Sequence, residues 1–282
     1  MSEFDPPAAV LRALVAGALA EDVGQLGDIT SLACIDEEDT TNAAFVVREV
    51  GVLAGTAAAT EVYRQVDPDT VVHWHRQDGD AVEAGDVIGG VRGSTRSVLL
   101  GERVALNLLS HSSGVATFTR RCVNAAGNGV RIRDTRKTLP GLRAVQRAAV
   151  RAGGGFNHRD SLSDAVLIKD NHLAATGLAE AVTRARTRWP GRIVEVECDS
   201  LDQVLEARAA CVDIVMVDNM SPAQVQEAVA ALDGAIPVEV SGGVTLDSLP
   251  AFARTGAAFV SIGALTHSVR ALDIGLDNAY ES

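Results

Sequence analysis

The chain has 282 residues, 47% of them hydrophobic, which is enough for two domains or for one large α/β barrel with an appendage. Its net charge of −12 argues against nucleic acid or an anionic membrane as the partner, because both would repel the protein at long range, and favours a small-molecule ligand. The start of the chain has no basic segment before an apolar run, and no span reaches about 18 uninterrupted apolar residues, so we predict neither a signal peptide nor a membrane crossing. The cysteines lack metal-ligand spacing, and we interpret them as reduced core residues of a cytoplasmic protein: Cys34, Cys122, Cys198 and Cys211.

The N-terminal part of the chain predicts a small domain that contains both helices and strands. Helical spacing of apolar residues predicts a helix over 7–20, and short apolar runs predict strands over 43–50 and 71–76. The stretch 78–93 is rich in Gly and Asp, which favours tight turns and a small β sandwich.

A long predicted helix over 97–126 separates this region from a different pattern. We therefore place the first domain at 1–110 and the second at 111–282, and the end of the chain could return to the first domain. In the second domain short apolar strands alternate with helices, which is typical of βα units with parallel strands. The predicted strands are 130–134, 164–168, 193–197, 213–217, 237–241 and 259–263. The predicted helices are 142–152, 176–188, 201–210, 221–232 and 245–255.

Polar residues follow nearly every strand of this second domain. In a barrel the carboxyl ends of all strands converge on one face, where active sites form, whereas in an open sheet only those beside the switch point would meet. The pattern favours the barrel over a doubly wound sheet. The strand-end residues are Asp134, Lys169, Glu197, Asp218, Ser241 and Gly263.

The strongest chemical feature is the stretch 133–172, which holds eight Lys and Arg against four Asp in an otherwise acidic chain. A local basic site of this kind predicts a small polyanionic ligand held at short range. The guanidinium fork suits carboxylates and the ammonium group suits phosphate oxygens. The chain has only two lysines, Lys137 and Lys169, and both fall in this stretch. Three further arginines belong either to the site or to a solvated helix face: Arg143, Arg147 and Arg151.

Two carboxylates and two glycine-containing turns complete the candidate site. Glu197 and Asp218 could hold Mg²⁺ directly or through water, accept hydrogen bonds from ribose, or stabilise an oxocarbenium-like centre; helix capping is the structural alternative. The turns SGGVT at 241–245 and GAL at 263–265 follow strands and suit a phosphate, because glycine lets the backbone approach an anion. Tight turns without a ligand are the alternative for both.

Taken together, segments along nearly the whole chain resemble the quinolinate phosphoribosyltransferase family, also called nicotinate-nucleotide pyrophosphorylase (carboxylating). Each motif alone has modest specificity, but TRKT, HR and IKDNH at these spacings are highly specific. The segments are EDVGQLGDITS at 21–31, GVLAG at 51–55, GERVALN at 101–107, DTRKTLPGLR at 134–143, GGGFNHR at 153–159, LIKDNH at 167–172, VEVE at 194–197, VDN at 217–219 and SGG at 241–243.

The resemblance implies an N-terminal α/β sandwich domain and an incomplete, open-walled α/β barrel. It also implies decarboxylating transfer of phosphoribose from phosphoribosyl pyrophosphate to quinolinate in NAD biosynthesis, with Mg²⁺ and no organic cofactor. A homodimer with shared active sites, or a higher oligomer, is expected. By the same resemblance Arg103, from the partner subunit, joins Arg136, His158 and Arg159 on the carboxylates of quinolinate.

The remaining expected site residues divide by the part of the substrates that they address. Lys137 and Lys169 are expected on a substrate carboxylate and on phosphoribosyl pyrophosphate, and Glu197 and Asp218 on ribose and Mg²⁺; these four are the expected catalytic residues. Thr135 is expected to bind substrate beside Arg136. The expected 5′-phosphate residues are Ser241, Gly242, Gly243, Gly263, Ala264 and Leu265.

Departures from the family pattern and three rival functions remain to be weighed. Arg147 stands where the family commonly has lysine, which keeps the charge and changes its geometry. Asp160 and Ser161 replace an apolar residue and glycine, and an acid beside Arg159 could weaken carboxylate binding, although the site is still expected to form. One rival is a paralogue associated with molybdenum transport, which typically lacks the lysine of LIKDNH. The others are a Schiff-base lyase using Lys169 and a lipoyl-like domain formed by 78–91, which lacks a lysine at the hairpin.

Overall fold

The computed structural model describes residues 4–278 and divides the chain into two compact units. The first unit comprises the described residues up to Arg120, the segment Thr138–Gly154 and the described residues from Leu265 on. The second unit comprises Arg121–Lys137 and Gly155–Ala264. In the described part of the chain, no helix is both long and apolar enough to cross a membrane.

Helices and strands occur throughout the described residues, and we number each type in chain order. They are α1 (Ala8–Val23), α2 (Ile29–Cys34), β1 (Thr40–Val47), β2 (Gly51–Val52), α3 (Thr56–Val66), β3 (Val71–Trp74), β4 (Ala81–Val82), β5 (Val87–Ser94), α4 (Thr95–Ala126), β6 (Arg131–Arg133), α5 (Arg143–Ala152), β7 (Val166–Ile168), α6 (Asp170–Thr176), α7 (Leu178–Arg188), β8 (Val194–Cys198), α8 (Leu201–Ala209), β9 (Ile214–Asp218), α9 (Pro222–Leu232), β10 (Val238–Ser241), α10 (Leu249–Phe252), β11 (Phe259–Ser261), α11 (Ala264–His267) and β12 (Ile274–Asn278).

The first unit is built on a four-stranded antiparallel sheet in the order β12-β1-β5-β3. The inward side chains of β1 are buried with apolar residues of α1, α3, α4 and α5, as the alternating pattern of the strand requires. Phe45 stacks on Trp74 with ring centroids 4.9 Å apart and meets Tyr63 edge-on at 6.4 Å. The turn-rich stretch supplies β4 and β5, and helices rather than a second large sheet cover the core.

The second unit contains a six-stranded parallel sheet in the order β6-β11-β10-β9-β8-β7. The predicted strands of this region all form, and the helices α7, α8 and α9 separate β7, β8, β9 and β10 in the βα manner expected. An isolated bridge joins Arg133 to Phe156 beyond β6. Among residues 4–278 no ladder connects this edge to β7, so the wall is open there. The predicted fold class, an incomplete α/β barrel with an N-terminal α/β sandwich domain, is therefore confirmed.

The unit boundaries differ from the division expected after residue 110. The chain passes from the first unit to the second at Arg120, and Thr138–Gly154, which contains α5, belongs to the first unit. The last strand, β12, pairs with β1, so the chain end does return to the first sheet. The domain limits drawn from the sequence stay a prediction, because compactness is only one way to define them.

The inward polar side chains of the second unit form two groups. Because side chains alternate with a period of two, Glu195 and Glu239 lie on the same strand faces as Glu197 and Ser241, two residues nearer the strand starts. The outer group, at or near the strand ends, contains Glu197, Asp218 and Ser241. The group beneath it, the buried layer, is defined by its contacts: Arg133 and Ser261 both bond Glu239, and Glu195 and Glu239 both lie near His158.

Candidate active site

A cavity of about 430 Å³ opens at the carboxyl ends of the strands in the second unit. This size suits a small ligand. The location is the one at which barrel enzymes place their sites, because only strand ends and the following loops are free to vary without loss of the core. The lining residues are Thr135, Arg136, Lys137, His158, Arg159, Leu167, Lys169, Glu197, Met216, Asp218, Ser241 and Ser261.

Four cations line this cavity against two carboxylates. The Nε of Arg136 is buried and has no hydrogen-bond partner among the described residues. Arg159 donates from Nη1 to the carbonyl of Ala165 at 3.1 Å. Burial lowers the pKa of Arg159, and the charge of Arg136 lowers it further. Two arginines that repel each other at the mouth of a cavity are stabilised by a bound anion, so the site is suited to a carboxylate or phosphate.

The two expected carboxylates lie at neighbouring strand ends. Glu197 accepts a hydrogen bond from Lys169 Nζ, so the ammonium group and the carboxylate form an ion pair at the edge of the cavity. Asp218 accepts a hydrogen bond from Asn219 Nδ2 at 2.6 Å. Cations for an anionic ligand and anions for a positively charged centre therefore stand side by side.

Asn219 connects Asp218 to the glycine turn that follows β10. Its φ of 56° is in the left-handed region, and its backbone N–H donates to the carbonyl of Ser241 at 2.9 Å. Gly242 has a φ of +89°, and a Cβ there would come within 2.3 Å of Asn219 Oδ1. Gly243 has a φ of +62° and open space around its Cβ position. Of these two glycines, Gly242 alone is required by both its backbone conformation and its contacts.

The pair Gly242→Ala and Gly243→Ala tests this difference. We expect Gly242→Ala to lower Tm by about 5 °C or more, because strain and overlap together cost more than about 2 kcal/mol in a chain of this size. Gly243→Ala, the matched control, should cost about 1 kcal/mol of backbone strain and about 2–4 °C. Thermal unfolding of the three proteins gives the comparison. Equal losses would show that the contact with Asn219 is unimportant.

Several expected site residues lie elsewhere. Gly242, Gly243, Gly263 and Ala264 follow β10 and β11 but are not among the residues that line the cavity. The side chain of Leu265 is fully buried, which leaves only its backbone for an anion. Arg103 lies on α4 and Arg147 on α5, both in the first unit, so their expected roles stay predictions. Asp160 is exposed, and its N–H donates to Asp164 at 2.9 Å.

The structure adds a buried polar layer that sequence reasoning missed. Glu239 is fully buried and accepts hydrogen bonds from Arg133 Nη1 at 2.5 Å and from Ser261 Oγ. Glu195, only 3% exposed, bonds His158 Nε2 at 2.8 Å. Barrel interiors are usually filled with branched apolar residues, and buried charges are rare unless they are paired, so a buried charged layer beneath the cavity indicates a role in the site. The available signal was parity: Glu195 and Glu239 precede Glu197 and Ser241 by two residues.

The backbone of His158 is fixed from the other side by Asp134. This strand-end carboxylate is fully buried and accepts hydrogen bonds from the N–H of His158 and from Asn157 Nδ2, both at 2.7 Å. Asp134 therefore orders the NHR segment rather than facing a ligand. The NHR segment is therefore tied to a strand end through Asp134 and to the buried layer through His158.

Comparison with known proteins agrees with this geometry. Family models described as the N-terminal and C-terminal domains of quinolinate phosphoribosyl transferase match residues 28–113 and 115–277. A probable nicotinate-nucleotide pyrophosphorylase (carboxylating) from Bacillus subtilis is 42% identical over 95% of this chain and 93% of its own, and its Mycobacterium leprae counterpart is 42% identical over 98% of both. The solved nicotinate-nucleotide pyrophosphorylase from Francisella tularensis superposes with a TM-score of 0.92, at 40% identity over 97% of each chain. The chain belongs to the quinolinate phosphoribosyltransferase family.

Proposed function

We propose that this protein transfers phosphoribose from phosphoribosyl pyrophosphate to quinolinate, with release of pyrophosphate and carbon dioxide, to form nicotinate mononucleotide for NAD biosynthesis. The observation that carries the proposal is the cavity in which four cations lie beside two strand-end carboxylates. The acceptor is a dianion and the donor a polyphosphate, and both need cations. The ribose carbon that becomes positive needs nearby anions.

The arginines and His158 would hold the acceptor. Arg136 and Arg159 each offer a guanidinium fork, which binds a carboxylate in a fixed plane. The unpartnered Nε of Arg136 is a donor ready for such an oxygen. Positioning the ring nitrogen of quinolinate against C1 of the ribose is the main contribution required, since the pyridinium formed can itself accept the electrons released with carbon dioxide.

The lysines and acids would act on the donor. Lys137 and Lys169 place ammonium groups where a departing pyrophosphate gains charge, which weakens the C1–O bond. Glu197 and Asp218 would accept hydrogen bonds from the ribose hydroxyls and balance positive charge at C1. Because Lys169 is paired with Glu197 in this structure, substrate binding must share or break that ion pair.

The donor set at these strand ends fits Mg²⁺. The ion prefers hard oxygen ligands and usually takes one or two carboxylates together with substrate phosphates and water. One oxygen of Glu197 is bonded to Lys169 and one of Asp218 to Asn219, which leaves the second oxygen of each carboxylate for a cation or its water. When bound, the ion would supply positive charge for the pyrophosphate.

The test is incubation with phosphoribosyl pyrophosphate and Mg²⁺, with quinolinate in one reaction and nicotinate in another. We expect nicotinate mononucleotide and carbon dioxide from quinolinate alone, and loss of turnover when a chelator removes the metal. Turnover of nicotinate instead, or of neither acceptor, would contradict the proposal. The second outcome would favour the molybdenum-associated paralogue.

Lys169 bears on the rival functions. It lines the cavity at the end of β7, where the paralogue typically lacks lysine. A Schiff-base lyase needs an amine that is free to attack a carbonyl group, whereas Lys169 Nζ is engaged in an ion pair with Glu197. Neither the paralogue nor the lyase is therefore favoured. Cys122 and Cys198 are buried as expected, but Cys34 and Cys211 are exposed, so the interpretation of all four cysteines as core residues is wrong. All four are free, which supports the proposal of a reducing, cytoplasmic location.

We further propose a homodimer in which Arg103 enters the partner's site, and a hybrid experiment tests it. Arg103→Ala and Lys137→Ala are each expected to be inactive alone. When the two are unfolded together and refolded, about a quarter of wild-type activity should return, since about half of the dimers are hybrids and each hybrid has one intact site. Refolded single variants are the control. No restored activity in proven hybrids would place Arg103 in its own subunit's site.

A further inference from the structure

The floor of the cavity is the buried layer, in which charged side chains bond one another. Arg133 and Ser261 both donate to Glu239, and the Arg133 guanidinium lies 3.4 Å from the centroid of the Phe259 ring. These contacts satisfy both oxygens of Glu239. Arg133 and Ser261 donate to Glu239, so the negative charge of the second acid in the layer, Glu195, needs a different partner.

Glu195 depends on His158. Its Oε2 lies 2.8 Å from His158 Nε2, while its Oε1 is buried and has no hydrogen-bond partner among the described residues. Glu239 Oε1 is also near the same nitrogen, at 3.5 Å. A carboxylate buried to this extent needs a positive partner, because an unpaired charge in a protein interior is costly. The imidazole can supply that charge only when both of its nitrogens carry protons.

The position of His158 leads to the same requirement. The His158 side chain lines the cavity, whereas Glu195 and Glu239 are not among the lining residues. A protonated ring therefore presents its positive charge directly to a bound dianion, while the Glu195 carboxylate contacts the ring at Nε2. Since charges at this depth are weakly screened, loss of the proton from the ring lowers the affinity for quinolinate.

We propose that Glu195 is a positioning residue that keeps the His158 ring protonated and fixed in the cavity floor, so that the site accepts the quinolinate dianion. This proposal rests on the function proposed above. His158, Glu195 and Glu239 could also be read as metal ligands, since their ligand atoms lie within 4.8 Å of one another. Arg133 and Ser261 already engage Glu239, and a guanidinium beside the site would repel a metal ion, so we favour the proton.

The surroundings of His158 agree with a protonated ring. Burial alone would lower the pKa of His158, but the hydrogen bond to Glu195 and the charges of Glu239 and Glu195 outweigh burial and Arg133 and raise it above its ordinary value. Asp134 bonds the backbone of His158, and Arg159 lies close enough to feel the charge of Glu195. The ring is charged below this raised pKa, so KM for quinolinate should be lowest there and rise as pH increases through it.

The variant Glu195→Gln keeps the shape of the side chain and removes its charge. We expect the pKa of His158 to fall, so that the rise in KM for quinolinate begins at lower pH. The ratio of variant to wild-type KM should be near one at acidic pH and grow at neutral pH by about tenfold per pKa unit lost. The ratio of variant to wild-type KM for phosphoribosyl pyrophosphate should not change with pH. Glu180→Gln, on an exposed ion pair of α7, is the matched charge control.

A ratio that does not vary between about pH 5.5 and pH 8.5 would overturn the proposal. If Glu195→Gln does not fold, ¹³C-labelled histidine in the wild-type protein still decides, with the His158 signal assigned by its loss in His158→Gln. Titration of that signal above the ordinary histidine pKa supports the proposal, and titration below it contradicts it. Phthalate, an ortho-dicarboxylate without the ring nitrogen, cannot react, so its pH-dependent binding tests Glu195 even if quinolinate is not turned over.

Discussion

Replacement of Lys169 by methionine is expected to lower kcat by about 10²–10³-fold, the usual effect of removing one preorganised group that stabilises developing charge. Lys169 lines the cavity at the end of β7 and is paired with Glu197. Methionine has a similar length and no charge. Loss of the ammonium group would leave the pyrophosphate less neutralised and would free a carboxylate of unfavourable sign beside it.

Two control variants separate this effect from a general loss of charge. Arg184→Met also removes one cation from the second unit, but Arg184 forms an exposed ion pair with Glu180, and such pairs are worth at most about 1 kcal/mol, so activity should change by less than about twofold. Lys169→Arg keeps the charge and changes its geometry, so it should recover only part of the activity. Steady-state rates and Tm of all three should be measured. Retention of more than about a tenth of kcat in Lys169→Met would contradict a catalytic role.

Local sequence pattern was sufficient for most of the second unit. Parallel strands buried on both faces read as short apolar runs, and each was found within about two residues of its expected position. The helix expected over 245–255 was wrong in extent, since α10 covers only Leu249–Phe252. Thr245 and Ser248 bond each other's backbone N–H groups, and such side-chain bonds compete with helix formation.

Features that depend on distant residues could not be predicted in the same way. The strand β12 forms because it pairs with β1, and Ala43 and Asn278 face each other although they are far apart in sequence. No local periodicity encodes such a partner. The extra helix α2 was also missed, although Asp28 caps it with hydrogen bonds to Thr30 and Ser31 at 3.1 Å.

The candidate site shows the same division. Residues placed at strand ends by pattern, such as Lys169 and Asp218, do meet in one cavity. Glu195 and Glu239 were overlooked because the sequence alone does not show which residues an acid inside an apolar strand will contact. Only the folded contacts show that both acids belong to one cluster with Arg133 and His158.

Arg136→Met is expected to raise KM for quinolinate by about 10²-fold, with a smaller change in kcat. Arg136 lines the cavity, its Nε is buried without a partner among the described residues, and Arg159 lies close enough to be repelled by it. A carboxylate that bridges two such cations binds through both, and truncation of one partner of a desolvated charge pair costs about 2–5 kcal/mol. Binding should be lost more than chemistry, because the carboxylates are held before and during the reaction.

The matched control is Arg131→Met. Arg131 begins β6, the strand that precedes Arg136, and it is exposed and lies 5.3 Å from the centroid of the Phe156 ring, so its loss removes the same charge away from the cavity. We expect KM for quinolinate to change by less than about twofold in this variant. A rise in KM for phosphoribosyl pyrophosphate rather than for quinolinate in Arg136→Met would assign this guanidinium to phosphate. Equal effects of the two variants would mean that overall charge, and not the bidentate contact, controls affinity for the acceptor.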